Sequence, residues 1–282
     1  MAWGIFKRIL YVSDKETSFA KRGFCRDNVM AAAQLEKIGS FFLKGYRAAL
    51  STAMGEPLTR LLNNTSVFYK GFSYEGAAMA LLIQDWFGIL KKKRLNQFME
   101  QEEGAKHIYM LHVGAGWGYA RLPVNLEKKI ERYDPLLRWL VVDGYGFHQG
   151  YFKTKKYVER MQPPRLRSIY AMKAFYQGLG RCLWFVDGAV PDRIARRIAG
   201  FPPEYQPELW SGVGLACTYA VGVSESDLWK LKELSLNAYP YLAQGAVFAA
   251  KARERAEIIT SENETACQVI CSMTVRQAAG IA

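Results

Sequence analysis

The feature that most constrains the fold of this chain is a glycine pattern that recurs along most of its length. Seven glycines spaced along the chain are each followed four positions later by another small residue. The pairs are Gly45/Ala49, Gly76/Ala80, Gly114/Gly118, Gly146/Gly150, Gly178/Cys182, Gly212/Ala216 and Gly245/Ala249. Successive first glycines are 31 to 38 residues apart, and their contexts, such as "YEGAAMA", "YQGLGRC" and "WSGVGLA", are alike. The pattern therefore indicates one repeated segment.

Residues four positions apart lie on the same face of an α-helix, so a small pair there lets another backbone approach closely. A period of roughly 34 residues is typical of helix–turn–helix repeats. The pattern predicts an all-α chain of about seven helical hairpins, as a TPR-like repeat or a bundle packed into one unit. We expect an N-terminal arm over residues 1–30, a single repeat domain over 31–272 and a C-terminal tail over 273–282.

Signals for the second helix of a hairpin lie between the glycine segments. The stretch "PDRIARRIAG" starts with Pro191 and ends with Gly200, the residues that favour a helix start and a helix end. Ser224 and Asp227 have the spacing of a capping box at the start of "SESDLWKLKEL". Clean alternating runs bounded by hairpin turns, which indicate strands, are lacking in the sequence.

Cysteine usage and hydropathy predict a cytoplasmic protein. The five cysteines are odd in number and scattered, which suits a reducing compartment. The apolar runs are shorter than the ~18 residues that a membrane span needs. The start of the chain lacks the long apolar stretch and small-residue cleavage site of a signal peptide. We therefore expect neither a membrane-spanning helix nor secretion.

The sequence offers little support for a metal or an organic cofactor. His107 and His112 are five positions apart, which does not place them on one helix face. The stretch "HVGAGWG" lacks the preceding strand and the spacing of a nucleotide-binding loop. We predict no metal site and no cofactor.

Asp143 lies in the stretch "VVDGYGFHQGYF", which follows a helix-start signal at Asp134-Pro135. If one helix runs through this stretch, each residue turns by about 100°. Asp143 then shares its face with large apolar residues, whereas His148 lies about 140° away. The alternative is a break at Asp143-Gly144, with Asp143 capping a second helix.

Glu75 has a similar position in "GFSYEGAAMALLIQDWFG", where it shares a face with Phe72, Met79, Leu82 and Trp86. Burying a carboxylate costs several kcal/mol unless it is paired or neutralised. Burial also raises the pKa of a carboxyl group, which is how such a group becomes a proton donor near neutral pH. The structural alternative is that each acid accepts hydrogen bonds from a helix N-terminus or pairs with an arginine such as Arg121 or Arg181.

The net charge of +12 is partly concentrated in one segment, residues 151–167. It contains six cations against Glu159: Lys153, Lys155, Lys156, Arg160, Arg165 and Arg167. Lys153, Lys155, Lys156 and Arg160 are candidate partner-binding residues for an acidic carrier protein or an anionic membrane surface. A solvated face is the structural alternative, and the segment lacks a nucleic-acid recognition motif.

The motifs "TSFAKRGF", "YEGAAMAL", "GWGYARLP", "DPLLRWLVVDGYGFHQGYF", "QGLGR" and "LWSGVGLACTYA" resemble a bacterial family. It is domain-of-unknown-function family 1702, which includes the UnbL-type proteins of enediyne polyketide gene clusters. The resemblance spans residues 17–271. It implies a cytosolic accessory protein of natural-product biosynthesis, encoded beside a protein with β-propeller-like repeats that is a possible partner. The family has Glu where this chain has Gln149, so Gln149 receives no acid role.

Two functional hypotheses follow. In the first, the protein acts on a long apolar polyene or polyketide-derived intermediate by metal-independent acid–base chemistry, such as isomerisation or cyclisation. Asp143 is then the proton donor and Glu75 its partner, and the substrate-binding candidates are Tyr145, His148, Arg181 and Trp117. In the second, a non-catalytic helical-repeat scaffold binds a biosynthetic partner along its concave face. An enclosed apolar cavity around Asp143 favours the enzyme, and an open groove favours the scaffold.

Overall fold

The structure is a computed structural model that describes residues 12–88 and 93–282. Within these ranges the chain forms sixteen α-helices and no strand, so the all-α prediction is confirmed. The helices are α1 (Phe19–Arg22), α2 (Val29–Ser51), α3 (Glu56–Asn63), α4 (Val67–Phe87), α5 (Arg94–Met99), α6 (Glu102–Lys106), α7 (Ile108–Tyr119), α8 (Leu126–Ile130), α9 (Arg138–Phe152), α10 (Ile169–Val186), α11 (Pro191–Ala199), α12 (Gln206–Tyr219), α13 (Glu225–Ser235), α14 (Tyr239–Arg255), α15 (Ser261–Cys271) and α16 (Val275–Ala279).

Seven of these helices form a single row in chain order, and we call them the inner helices. They are α2, α4, α7, α9, α10, α12 and α14, and each packs on the next. Neighbours run parallel: Trp139 contacts Tyr170 near the first residues of α9 and α10, and Tyr151 contacts Phe185 near their last residues. Each inner helix carries one of the seven glycine pairs.

The glycines bring the inner helices into backbone contact. A Cβ atom added to Gly146 would lie 2.3 Å from the carbonyl oxygen of Phe175, and one added to Gly178 would lie 1.8 Å from that of Asp143. Both distances are far below van der Waals contact, so a side chain at either position would force α9 and α10 apart. The prediction that the small pairs admit a neighbouring backbone is confirmed.

Four inner helices carry a second glycine that the sequence analysis did not use, in a Gly-x-Gly arrangement. Residues two positions apart are turned by about 200° on a helix, so the two glycines lie on opposite sides. Gly178 meets Asp143 of the preceding helix, and Gly180 meets Leu209 of the following helix. The same arrangement occurs at Gly114/Gly116, Gly144/Gly146 and Gly212/Gly214. Each of these helices therefore touches the backbone of two neighbours.

The second helices of the repeats lie outside this row. Helix α11 starts at Pro191 and is capped by Gly200, as its sequence predicts. Helix α13 has the predicted capping box between Ser224 and Asp227. Helix α9 continues without a break through Asp143 and Gly144, so the alternative in which Asp143 caps a second helix is wrong.

The last inner helix is hydrogen-bonded to the second repeat, which closes the row. The guanidinium group of Arg253 in α14 is fully buried and donates to the carbonyl oxygens of Phe68 (3.1 Å), Ile258 (3.2 Å) and Tyr219. Arg255 Nε donates to the carbonyl oxygen of Ala105 at 3.0 Å. The concave side of the repeat is consequently filled with side chains.

The ends of the chain pack on this unit. The backbone N–H of Cys25 donates to the carbonyl oxygen of Val186 at 2.9 Å. Helix α16 packs on α14 and buries Val275, Ala278 and Ala279. Parts of the predicted arm and of the predicted tail are thus helical, and residues 1–11 of the arm lie outside the described ranges. The division of the chain into an arm, a domain and a tail stays a prediction.

None of the helices in the described ranges has the length and hydropathy needed to cross a bilayer.

Candidate functional site

A narrow cavity of about 60 Å³ lies at the centre of the row of inner helices. Six inner helices each contribute a large side chain to its wall: Phe42, Met79, Trp117, Phe147, Phe185 and Tyr219. Val12, Glu16 and Thr17 close one side of it. Glu75, Arg181 and Arg121 also line the cavity, and these charged groups make it a candidate site.

Glu75 points into the cavity because it shares a face of α4 with Phe72 and Met79, as the helical arithmetic predicts. Its side chain is buried beside the indole group of Trp117. Burial raises the pKa of Glu75 to about 7, the charge of Arg181 opposes this rise, and the charge of Asp143 adds to it. Glu75 is therefore divided between its protonated and ionised forms near neutral pH.

Asp143 is paired with Arg181, which lies opposite it on α10. Arg181 Nη1 donates a hydrogen bond to Asp143 Oδ1, and both side chains are buried. Burial raises the pKa of Asp143, while the charge and the hydrogen bond of Arg181 lower it. Arg181 lines the cavity, whereas Asp143 lies behind it. Asp143 thus has the arginine partner that the structural alternative described.

Two polar groups in the cavity wall have no hydrogen-bond partner within the described ranges. They are the indole Nε1 of Trp117 and the hydroxyl group of Tyr219. Trp117 still acts on Glu75 and lowers its pKa slightly, although its Nε1 makes no hydrogen bond of standard geometry. Burial raises the pKa of Tyr219 to about 12, so its hydroxyl group stays protonated and can donate.

Tyr219 was not among the predicted site residues, although its position in the sequence indicates an inward-facing side chain. Tyr219 lies seven positions after Gly212 and three after Ala216, hence on the glycine-bearing face of α12. The arithmetic applied to Glu75 and Asp143 would have placed it in the interior.

Tyr145 and His148 do not line the cavity. Tyr145 is two positions beyond Asp143, so it lies on the other side of α9, where it contacts Phe175 with ring centroids 6.3 Å apart. His148 is buried behind Trp117 and Phe152, edge-on to the Trp117 ring at 5.4 Å. Burial lowers the pKa of His148 to about 3, so this side chain is neutral at physiological pH.

One end of the cavity meets solvent, and we call it the mouth. It is formed by Arg121, which is exposed, and by the half-buried Glu16, Thr17 and Phe152. The mouth lies at the C-terminal ends of α7 and α9. Arg121 follows the last residue of α7 by two positions, and Phe152 is the last residue of α9.

The basic segment Lys153–Arg167 is not a single patch. It connects the end of α9 to the start of α10, and these two helices are parallel, so the segment runs from one edge of the row to the other. Lys153, Lys155 and Arg160 are exposed, and Lys156 is half-buried with its ammonium group over the Tyr157 ring. Lys153 lies near the mouth, and Arg165 and Arg167 lie near the opposite edge. A role of this segment in partner binding stays a prediction.

Within residues 12–88 and 93–282, no group of three or more His, Cys, Asp or Glu residues is placed to hold a metal ion. The charged side chains that line the cavity are instead Glu75 and Arg181, which is paired with Asp143 behind it, and, at the mouth, Arg121 and Glu16. This arrangement can hold and move a proton.

The chain was compared with known proteins. A family model described as "Protein of unknown function (DUF1702)" matches residues 2–282. The match includes every residue that the structure describes, so the row of inner helices, the cavity and the mouth all lie within it. Neither the curated proteins nor the solved structures gave a match to this chain.

Proposed function

Because the chain belongs to the DUF1702 family, whose description gives no activity, we infer its function from the cavity. We propose that the protein binds a slender apolar molecule in the cavity and that Glu75 transfers a proton to or from it. The observation that carries this proposal is the position of Glu75: a carboxyl group inside an apolar cavity, with a pKa near 7. A group that is half ionised at the working pH serves as both proton acceptor and proton donor.

The chemistry that suits these groups is a proton-transfer isomerisation. Ionised Glu75 removes a proton from a carbon atom of a conjugated chain, the electron pair moves along the chain, and protonated Glu75 returns the proton at another carbon. Atoms and electrons balance without an oxidant or a reductant. Arg181, held in place by Asp143, stabilises negative charge that develops on a substrate oxygen, and the Tyr219 hydroxyl group donates a hydrogen bond.

This proposal gives the acid–base role to Glu75 and a positioning role to Asp143. The sequence-based hypothesis had made Asp143 the proton donor. Asp143 lies behind Arg181 and away from the cavity, so a ligand in the cavity would meet Arg181 first. Glu75 itself lines the cavity, so a ligand there would contact it directly.

The size of the cavity limits its occupant. A volume of about 60 Å³ is room for about two water molecules. A larger ligand therefore has to turn flexible lining side chains such as Leu43 and Met79, and a flat or unbranched chain needs the least displacement. The resemblance to UnbL-type proteins supports a polyene or polyketide-derived chain, in natural-product biosynthesis in the cytosol, as the setting of this activity.

The filled concave side favours this function over the scaffold hypothesis. A concave-face scaffold needs an open groove along its inner helices. Here the inner helices face a cavity, and Arg253 joins the last inner helix to the second repeat. A biosynthetic partner protein would then bind at an edge or on the outer helices.

Proton transfer is tested by isotope exchange. The protein is incubated with unbranched conjugated polyenones in D₂O, and deuterium incorporation and double-bond migration are followed by mass spectrometry and NMR. We expect exchange with the wild type, loss of exchange with Glu75→Gln, and partial retention with Glu75→Asp. Circular dichroism and binding of the same polyenones show whether Glu75→Gln remains folded and occupied. Equal exchange rates for wild type and a folded Glu75→Gln variant would overturn the proposal.

A further inference from the structure

The mouth of the cavity has the chemistry of an oxyanion site. We propose that Arg121 binds the carboxylate or phosphate head of the molecule whose apolar chain enters the cavity. The ligand class is then an amphipath with one anionic end, rather than a neutral hydrocarbon. This inference rests on the proposed function, because it assumes that the cavity takes up a chain.

Arg121 is the first observation. Its side chain lines the cavity and is also exposed, so it can reach a ligand and the solvent at once. Its guanidinium group forms no ion pair or hydrogen bond with any other residue of the described ranges. The helix dipole favours a cation just after the end of α7, which accounts for a cation there but not for its place in the cavity wall.

The charges around Arg121 are the second observation. Three cations, Arg121, Lys153 and Arg22, lie near the buried His148. Their positive charges lower the pKa of His148 further than burial alone does. Among the residues that the structure describes, Glu16 is the one acid that lines the mouth, and it is paired with both Lys21 and Arg22. These residues give the mouth more positive than negative charge, and among them the guanidinium group of Arg121 has no ion-pair partner.

The other end of the cavity has the opposite character. Arg181 faces two carboxyl groups there, those of Asp143 and Glu75. A ligand carboxylate placed at this end would be the third carboxyl group beside the single positive charge of Arg181. The difference between the two ends sets the direction in which an anionic chain enters, with its head at Arg121 and its tail toward Glu75.

The test uses parinaric acid, a fluorescent conjugated fatty acid, together with the corresponding alcohol and alkyl phosphate. Fluorescence titration gives the Kd of each probe for the full chain. Because the variant loses a charge-assisted hydrogen bond to the head, we expect Arg121→Gln to weaken binding of the acid and the phosphate by about 10-fold or more. The alcohol should bind the wild type and Arg121→Gln equally. Arg121→Lys should keep part of the preference for an anion.

Two variants complete the design. Arg165→Gln removes the same charge at the far edge of the row, and we expect it to leave all three Kd values unchanged. Leu43→Phe narrows the cavity and should weaken all three probes alike, and circular dichroism checks that this variant is folded. Equal loss with Arg165→Gln and Arg121→Gln, or tight binding of the acid to folded Leu43→Phe, would mean that the head binds elsewhere and would overturn the inference.

The outcomes also separate this inference from the proposed function. If the alcohol binds the cavity and Arg121→Gln does not change the Kd of the acid, the anion site is wrong and the apolar cavity stands. If none of the probes binds, both ideas fail. A preference of the wild type for the phosphate over the acid, lost in Arg121→Gln, would identify a phosphorylated head, and the reverse preference would identify a carboxylate.

Discussion

Arg181 and Asp143 form an ion pair between two parallel inner helices, and both side chains are almost wholly removed from solvent. Taking away one partner leaves the other charge buried without compensation, which costs about 3–5 kcal/mol. We therefore expect Asp143→Asn to lower the free energy of unfolding by about this amount, measured by chemical denaturation. The double variant Asp143→Leu/Arg181→Met should lose less than the sum of the two single changes. A stability of Asp143→Asn within about 0.5 kcal/mol of wild type would contradict the pairing.

Glu75 should make the stability of the protein depend on pH. The pKa of Glu75 is about 7 in the folded chain, whereas the ordinary pKa of a glutamate is 4.5. The folded state therefore binds the proton more tightly than the unfolded state does. The stabilising contribution is present in full below pH 4.5 and is lost as the pH rises to about 7. The Glu75→Gln side chain cannot ionise, so the variant does not lose this contribution. As the pH rises from 4.5 to about 7, its free energy of unfolding should therefore increase relative to that of wild type, by about 3 kcal/mol in total.

The measurement for Glu75 is a series of denaturation curves for both proteins between acid and neutral pH. A constant difference between them would show that Glu75 does not titrate in this window. A second check comes from Asp143→Asn, because the negative charge of Asp143 helps to raise the pKa of Glu75. In that variant the midpoint of the Glu75 titration should move to lower pH.

The glycines of the inner helices should tolerate no side chain. Gly178→Ala would place its Cβ 1.8 Å from the carbonyl oxygen of Asp143, which belongs to the backbone and cannot move alone. We expect a loss of about 3 kcal/mol or more, despite the better helix propensity of alanine. The matched control is Gly280→Ala, where the nearest atom is at 3.4 Å and the change should stay within about 0.5 kcal/mol. Similar melting temperatures for the two variants would contradict the close helix contact.

Arg253 should be essential to the stability of the closed row. Arg253→Met leaves the carbonyl oxygens of Tyr219 and Ile258 without this donor, and each buried unsatisfied group costs about 1–3 kcal/mol. We expect a loss of at least about 3 kcal/mol in thermal or chemical denaturation. Arg255→Met, two positions away on the same helix, removes one exposed hydrogen bond and should cost less than about 1 kcal/mol. If both variants unfold like wild type, Arg253 does not hold the row closed.

The sequence predicted those features that depend on positions along one helix. The spacing of Gly146 and Gly150 indicated a helix face that another backbone approaches, and the neighbours of Glu75 indicated that it points inward. Both statements follow from the turn of about 100° per residue. The family was also identified from local motifs, and the family match confirms it.

Features that depend on how distant segments meet were not predictable in this way. Nothing in the neighbourhood of Arg253 indicates that its partners lie near Phe68 and Tyr219. Helical arithmetic also placed Glu75 and Asp143 alike, because it cannot tell a group that faces a cavity from one that faces an arginine on the next helix. The position of Arg121 at the mouth depends on where α7 and α9 end and on the segment around Glu16, which is distant in sequence.

The hydrogen bond from Arg253 to Phe68 joins positions 185 residues apart, which changes how the molecule can come apart. In an open solenoid each repeat contacts only its neighbours, so the end repeats can fray while the middle stays intact. Here, detaching the last inner helix also removes contacts of the second repeat. Unfolding is therefore expected to be one cooperative event. Contacts of such long sequence separation also slow the search for the native topology, so this chain should fold more slowly than an open helical array of equal length.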